Sequence, residues 1–290
     1  MQERHPAGIN GDYITSSSHP IFINSIYQFI KKNFKDFNLT FVDFGTGIGE
    51  LIKSLKKMVN NKNTKFIGIE KIKRFEDEDI IFLNSIEELE KIDGIIFSFE
   101  LFDSLPFHLV EKRKGEIKEI YVNRNKLIYG DLSNSEILNY IQRFNINLKE
   151  GQRIEVCLLA EKIYEKMSEK LNSGFLITFD YGFKADILYN KKYFKKGTLM
   201  TYKNKKLGRD PLDEPYKKDI TCAVNFSALE EVGKNNSLLT IEFTTLSKFI
   251  VDNLGKNLKN LKDEKHTIPI YDLIFGIVGQ DIKVLIQKKR

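Results

Sequence analysis

The stretch that decides the fold is Phe41-Val42-Asp43-Phe44-Gly45-Thr46-Gly47-Ile48-Gly49-Glu50-Leu51. It begins with the end of an apolar run, continues through alternating glycines, and predicts a helix over residues 50–58. Residues 64–70 then predict a second strand, which closes on the carboxylate of Glu70. A strand, a glycine-rich turn, a helix and a second strand ending on an acid are typical of a βαβ unit in a parallel sheet.

This unit predicts a binding site for a cofactor that contains adenosine. Gly45 and Gly47 carry no Cβ and so let the backbone approach a ligand closely, while Glu70 can accept from both ribose hydroxyls. The spacing G-x-G-x-G, with Asp43 on the strand, favours S-adenosylmethionine, whose ammonium a carboxylate can hold. A dinucleotide site needs G-x-G-x-x-G, with the pyrophosphate on the helix N-terminus. An ordinary glycine turn is the alternative that the motif alone leaves open.

Composition sets the broad class of protein. The 290 residues are 41% hydrophobic and 30% charged, which is typical of a globular chain with one large core or two modest ones. The net charge is +6, but lysines alternate with glutamates, so we expect a solvated mixed surface and no nucleic-acid partner. No run of about 18 apolar residues is present, so no membrane span is expected. The first residues resemble neither a signal nor a transit peptide, and we expect a cytoplasmic protein.

Metal and disulfide chemistry is not expected. The four histidines are scattered along the chain, and none pairs with a cysteine at metal-ligand spacing. Cys157 and Cys222 are too far apart for a C-x-x-C site. They are predicted to be reduced thiols in the core.

The remaining chain continues the α/β pattern and then departs from it. Ser85 and Glu88 form a capping-box pattern that predicts a helix from residue 86. Residues 183–218 are polar, aromatic and loop-like, and loops of that length are usually functional or disordered. Further strands are predicted over 79–84, 94–100, 107–112, 117–122, 126–129, 154–158, 175–182, 239–244 and 281–287, and helices before residue 145 and over 161–171, 226–234 and 246–254.

Three of the apolar runs end on an acid, namely Glu70, Glu100 and Asp180. In an open parallel sheet, ligands bind beyond the carboxyl ends of the strands. We therefore expect these carboxylates to face one edge of the sheet, where a cofactor and its substrate would lie.

Several ordered motifs carry a family resemblance. They are Gly11-Asp12-Tyr13-Ile14-Thr15-Ser16-Ser17, the glycine loop, Phe99-Glu100-Leu101-Phe102-Asp103-Ser104-Leu105-Pro106, Asp180-Tyr181-Gly182, Gly197-Thr198-Leu199-Met200-Thr201-Tyr202, Asp210-Pro211-Leu212 and 219–229. Together they resemble the MidA family of S-adenosylmethionine-dependent methyltransferases. That family includes a mitochondrial assembly factor that methylates an arginine on a subunit of respiratory complex I.

The resemblance implies an α/β fold, the Rossmann-like sheet of class I methyltransferases. This sheet is mostly parallel with an antiparallel last strand, and it carries an inserted β-hairpin and helical substrate-binding region. Residues 1–104 and 172–290 are expected to form the cofactor-binding core, and residues 105–171 the insertion. Within the core, residues 183–218 are expected to be a long loop on the substrate side.

The resemblance also implies roles for residues around the cofactor, S-adenosylmethionine. The segment with Asp12 and Thr15 would lie over it. Asp43, Gly45 and Gly47 would shape the methionine end, Glu70 would take the ribose, and Asn84 and Ser85 would contact the adenine.

Glu100 and Asp103 are the predicted catalytic residues, with Asp180 and Tyr181 as further substrate contacts. An arginine is hard to activate because its pKa exceeds about 12 and its lone pair is delocalised. A carboxylate that grips the guanidinium can orient one nitrogen toward the methyl group. The alternatives are a structural acid at Glu100, turn chemistry at Asp103 and a simple strand end at Tyr181.

The sequence departs from the family pattern at Phe99, Met200, Lys205 and Asn225, and Ser17-Ser18 replaces the usual Pro-Glu. These departures concern the substrate more than the cofactor. The leading hypothesis is a protein arginine methyltransferase that acts on a complex I subunit. A methyltransferase with another substrate and a cofactor-binding assembly chaperone with little turnover are the alternatives.

Overall fold

The computed structural model describes residues 16–36, 38–59, 61–203, 206–255, 258 and 268–290. Its strands are β1 (Thr40–Phe44), β2 (Lys65–Ile69), β3 (Ile80–Leu83), β4 (Ile92–Phe99), β5 (His108–Arg113), β6 (Glu116–Asn123), β7 (Lys126–Gly130), β8 (Arg153–Val156), β9 (Leu171–Phe183), β10 (Met200–Lys203), β11 (Lys206–Gly208), β12 (Asp219–Thr221), β13 (Val224–Asn225), β14 (Leu239–Thr245) and β15 (Ile282–Lys289). Its helices are α1 (Pro20–Asn33), α2 (Glu50–Met58), α3 (Glu136–Arg143), α4 (Leu158–Lys170), α5 (Ala185–Leu188), α6 (Phe226–Asn235), α7 (Leu246–Leu254), α8 (Ile270–Ile274) and α9 (Ile277–Asp281).

The described chain forms two compact units. The first unit takes its residues from Met1–Leu101, Glu165–Asp180 and Gly233–Arg290, and the second from Phe102–Tyr164 and Tyr181–Val232. The expected division into a cofactor-binding core and a 105–171 insertion remains a prediction about function.

The first unit is built on one sheet with the strand order β14-β15-β9-β4-β1-β2-β3. From β9 through β4, β1 and β2 to β3, each strand pairs in parallel with the next. β14 pairs antiparallel with β15. The expected mostly parallel sheet with an antiparallel last strand is confirmed. Its central strands are nearly continuous apolar runs, as in sheets buried on both faces.

Helix α1 packs on this sheet through aromatic side chains. The ring of Phe22 lies 4.9 Å from that of Phe99 and 5.0 Å from that of Phe179, and the ring of Phe29 lies 5.2 Å from that of Phe175. No helix was predicted over residues 20–33. The signals for it are a proline at the first helical position and His19 before it, whose Nδ1 accepts from the backbone N–H of Ile21.

The second unit contains two small antiparallel sheets, with the orders β7-β6-β5-β8 and β11-β10-β12. The predicted hairpin is confirmed as β6 and β7, which pair through Val122 and Leu127 next to the turn. The core of the second unit contains Val110, Ile137 and Ile154, which pack with Tyr140 of α3 and Tyr189, the residue after α5. The last residues of β9 pair in parallel with β13.

Three predictions of local structure were wrong. The helix expected after Ser85 is a single 3₁₀ turn over Ile86–Glu88. Residues 183–218 are not one loop, because they contain α5, β10 and β11. The strand expected over 175–182 begins earlier, at Leu171, directly after α4 ends at Lys170. Within the described ranges, no helix is long and apolar enough to cross a membrane.

Candidate functional site

The candidate site lies at the carboxyl end of the first unit's parallel strands. Gly45 follows β1, Glu70 follows β2, Asn84 follows β3 and Glu100 follows β4. These strands are parallel neighbours, so the four residues lie along one edge of the sheet. This is the edge at which open α/β sheets bind their ligands.

The glycine loop has a backbone that only glycine adopts easily. Gly45 has φ +83° and Gly47 has φ +54°, both in the left-handed region. A Cβ at Gly45 would lie 2.9 Å from Cδ1 of Leu101, so this side chain packs closely over the glycine. A Cβ at Gly47 would meet nothing within 4 Å, so the loop presents bare backbone on that side. This cradle fits a ligand that approaches the main chain closely.

Glu70 contacts this loop directly. One carboxylate oxygen, Oε2, accepts from the N–H of Gly47 at 3.3 Å, and the other accepts from the N–H of Lys71 at 2.9 Å. The structure therefore brings together the glycine loop and the acid that the sequence assigned to the ribose. The side chain is half-buried at this edge.

Asp43 is a buried acid beneath the loop. Only 5% of its surface is exposed, and its Oδ2 accepts from the hydroxyl of Thr46 at 2.8 Å. Burial raises the pKa of Asp43 to about 6, the Thr46 hydrogen bond opposes this rise, and the nearby charge of Glu70 adds to it. A cationic group placed nearby would favour the ionised carboxylate.

The proposed adenine contacts follow β3. Asn84 is exposed, and Ser85 is half-buried at the start of the 3₁₀ turn. The Ser85 hydroxyl bonds to the carboxylate of Glu87 and accepts from its N–H. Asp12, Thr15 and Lys205 lie outside the described residues.

Glu100 occupies a strained backbone position at the end of β4. Its φ is +47°, which is uncommon for a residue with a side chain and often marks a functional turn. Its N–H donates to the carbonyl of Phe179 at 2.9 Å, so β9 fixes the start of the turn. The side chain is half-buried.

Asp180 is fully buried in β9 beside this turn. Its Oδ2 accepts from the N–H of Leu101 at 3.1 Å. Tyr181 is the next residue, belongs to the second unit and is half-buried.

Asp103 is an almost buried acid of the second unit. Burial raises the pKa of its carboxyl to about 7, while hydrogen bonds from the backbone N–H groups of Ser104 and of Asp103 itself oppose the rise. Its own carbonyl accepts from the N–H of Cys222 at 2.9 Å. This carboxylate changes charge near neutral pH.

Two departures from the family pattern lie in the second unit. Asn225 donates from Nδ2 to the hydroxyl of Tyr140 at 2.7 Å, and this hydroxyl is 2.9 Å from that of Tyr189. The amide of Asn225 thus completes a buried polar network, and burial raises the pKa of both tyrosines. Met200 is half-buried at the start of β10.

Three residues at the site were not found by sequence reasoning. Thr46 bonds to Asp43, and Leu101 packs over Gly45. The ring of Phe75 packs against Gly49, where an added Cβ would lie 2.7 Å from the ring. Thr46 stands inside the glycine motif, which is a weak signal. Leu101 stands inside the motif of residues 99–106, but its contact with Gly45 comes from strand pairing. Phe75 had no signal, because its contact comes from loop packing.

Comparisons with known proteins identify the group to which the chain is similar. A family model described as "Putative S-adenosyl-L-methionine-dependent methyltransferase" matches residues 21–244. Among curated proteins, none matches the sequence significantly.

Two crystal structures from Burkholderia thailandensis share the fold. One is a COG1565 superfamily member and "likely methyl transferase" bound to S-adenosyl-homocysteine, with TM-score 0.85 and 18% identity, covering 99% of this chain and 82% of that chain. The other is an uncharacterised COG1565 superfamily protein, with TM-score 0.79 and 19% identity, covering 95% of this chain and 81% of that chain. The predicted fold class is confirmed. The predicted resemblance to a family of S-adenosylmethionine-dependent methyltransferases is confirmed by the family model.

Proposed function

Since the chain belongs to the family of S-adenosyl-L-methionine-dependent methyltransferases whose model it matches over most of its length, we propose that it methylates an arginine side chain of a protein. The cofactor is S-adenosylmethionine. When bound, this cofactor supplies an electrophilic methyl group. The acceptor and the roles of individual residues are the substance of the proposal.

The cofactor side of the proposal rests on the glycine loop and its acids. Asp43 and Glu70 would hold the cofactor by charge and hydrogen bonds, and the bare backbone at Gly47 would lie against it. Asn84 and Ser85 follow the neighbouring strand and would contact the adenine, and the segment with Asp12 and Thr15 would lie over the cofactor. A sulfonium with an ammonium is cationic, and two carboxylates at one edge suit it.

The acceptor side rests on one observation, the position of Glu100. This acid stands at the end of β4 in a left-handed backbone that β9 holds by a hydrogen bond. Its carboxylate would grip the guanidinium through paired N–H···O bonds, orient one nitrogen and offset the positive charge that arginine brings beside a cationic cofactor. Positioning of this kind is the main contribution of an enzyme to methyl transfer.

Two further residues, Asp103 and Tyr181, have supporting roles in the proposal. Asp103 follows Glu100 by three residues in the same motif and would bind the acceptor in its ionised form. Tyr181 would contact the acceptor as well. By the family resemblance, the acceptor is an arginine of a respiratory complex I subunit where the host has that complex. We further propose that the protein acts in the cytoplasm.

The test is a methyl-transfer assay with a chemical readout. The purified full chain would be incubated with methyl-labelled S-adenosylmethionine and a cell extract, and the protein fraction would be acid-hydrolysed. We expect the label to run with methylarginine. Label in methyl-lysine or in the small-molecule fraction would reject the arginine proposal and favour another acceptor.

An absence of label would favour the chaperone alternative if the chain still binds the cofactor product. A Glu100→Gln chain that retains assembly function without methylation would support that alternative directly. Calorimetric titration with S-adenosylhomocysteine provides the binding measurement, so a failed assay can be assigned to the acceptor or to the cofactor.

A further inference from the structure

The buried acid Asp180 is placed to act on the site without touching a ligand. No part of its surface is exposed, so an acceptor could reach its carboxylate only after the surrounding structure moved. Its Oδ2 accepts from the N–H of Leu101 at 3.1 Å. This contact joins β9 to the turn that follows β4, and a buried donor left without its acceptor would be costly, so the hydrogen bond fixes the turn.

The turn fixed by Asp180 is the strained one. Glu100 has φ +47°, a conformation that persists only when neighbouring contacts enforce it. Those contacts bracket the residue on both sides, because the N–H of Glu100 bonds to Phe179 and the N–H of Leu101 bonds to Asp180. Both partners lie on β9, whose register with β4 pairs Phe99 with Phe179.

The same turn reaches the glycine loop. The side chain of Leu101 lies over Gly45, with Cδ1 at 2.9 Å and Cβ at 3.7 Å from the position of a Cβ at that glycine. A shift of the Leu101 backbone would therefore move the side chain that packs against the loop. Asp180, Leu101 and Gly45 form a continuous line of contacts from β9 to the loop after β1.

We propose that Asp180 is a positioning residue that holds the Glu100 turn and, through Leu101 against Gly45, keeps the glycine loop in its cofactor-binding form. This role rests on the proposed function only in that the loop binds the cofactor. This positioning role differs from a substrate contact, because Asp180 would then affect the affinity for the cofactor even when no acceptor is present.

Calorimetric titration of S-adenosylhomocysteine into the full chain, without acceptor, separates the two roles. Asp180→Asn keeps the size of the side chain but changes the acceptor of the Leu101 N–H from a carboxyl to an amide, and we expect the Kd to rise about tenfold as this hydrogen bond weakens. The matched control is Asp93→Asn at the opposite end of β4, where the carboxylate bonds to Asn172 and Ser173 on β9. We expect its Kd to stay within twofold of wild type. A substrate contact at Asp180 would leave the Kd unchanged, and that result would overturn the proposal.

A second set of variants does not depend on the folding of Asp180→Asn. Gly45→Ala should weaken binding of S-adenosylhomocysteine for two reasons, the strain of an alanine at φ +83° and the contact of its Cβ with Leu101. Leu101→Ala in the same chain removes only the contact and should recover that part of the affinity. Equal affinity of the single and double variants would overturn the Leu101–Gly45 link. A wild-type chain that binds S-adenosylhomocysteine but methylates no arginine would reject the proposed acceptor and leave the role of Asp180 standing.

Discussion

At the scale of single residues, the site combines acids in different environments. Asp43 is buried with a raised pKa, whereas Glu70 and Glu100 are half-buried at the strand ends. A buried acid is costly when ionised, and it is tolerated where its charge serves a ligand. The ionisation of Asp43 therefore makes stability depend on pH, and the charges of Glu70 and Glu100 would serve ligand binding.

Replacement of Asp43 should change how stability depends on pH. The folded-state pKa of about 6 lies above the ordinary 3.8, so the folded state binds the proton more tightly. Stability is then highest below pH 3.8 and falls as the pH rises through about 6, by about 3 kcal/mol in all. We expect Asp43→Asn without cofactor to unfold at higher urea concentration than wild type at pH 8, and at a similar concentration at pH 4. A difference independent of pH would contradict this account.

Replacement of Glu100 should separate catalysis from cofactor binding. Glu100→Gln preserves size and backbone but removes the charge that would hold a guanidinium, so we expect kcat for methyl transfer to fall about 100-fold. The Kd for S-adenosylhomocysteine should remain within twofold. Glu90→Gln, an exposed neighbour in sequence, is the control. Unchanged kcat in Glu100→Gln would show that this carboxylate does not act on the acceptor.

Much of the site could be predicted from particular residues, and the rest depends on strand neighbours. The glycine loop and Glu70 were predicted together, and the structure joins them by the Gly47–Glu70 hydrogen bond. The contact of Leu101 with Gly45 could not be predicted, because it depends on β4 lying beside β1. The burial of Asp180 has the same cause, since its strand continues beyond it to Phe183.

At the scale of elements, apolar runs were easier to predict than polar strands. β4 and β9 each contain an apolar run, and these runs predicted the middle and the end of both strands, although not the start of β9. β10 and β12 are short and half-polar, and they are held by pairing with each other and by the contacts of the preceding turn. That turn contains Thr198 and Leu199, whose N–H groups donate to the buried carboxylate of Glu155 on β8 at 3.0 and 3.1 Å. Contacts between distant residues of this kind leave no local pattern.

The close fit of the central strands predicts a large effect at Gly94. A Cβ there would lie 2.0 Å from the carbonyl oxygen of Thr40 on β1, so Gly94→Ala must force the two strands apart. We expect a loss of about 3 kcal/mol or more in the free energy of unfolding, measured by urea denaturation. Gly115→Ala has a positive φ but open space at the Cβ, and should lose only about 1 kcal/mol. Similar losses in both variants would contradict the steric explanation.

At the scale of the whole molecule, cofactor binding should stabilise the chain by mass action. At about 100 times its Kd, S-adenosylhomocysteine should add about 2.7 kcal/mol to the free energy of unfolding, whereas NAD should add nothing. Thermal unfolding at increasing ligand concentration measures both. Stabilisation by NAD, or by neither compound, would contradict the interpretation of the glycine loop. Hydrogen exchange should locate the added protection at residues 43–49 and 70 of the first unit.

The strand order of the first sheet has a consequence for how the chain folds. β15 lies between β9 and β14 in the sheet, although it follows both in the sequence. Its first residue, Ile282, comes 99 residues after Phe183, the last residue of β9. Among the described strands, β14 pairs with β15, and apart from the short pairing with β13 the edge of β9 stays open until residues 282–289 arrive. Late insertion of a strand between distant partners raises the contact order, which slows folding and prolongs the exposure of an apolar edge. Until β15 arrives, the apolar edge of β9 is therefore a place at which nascent chains can associate.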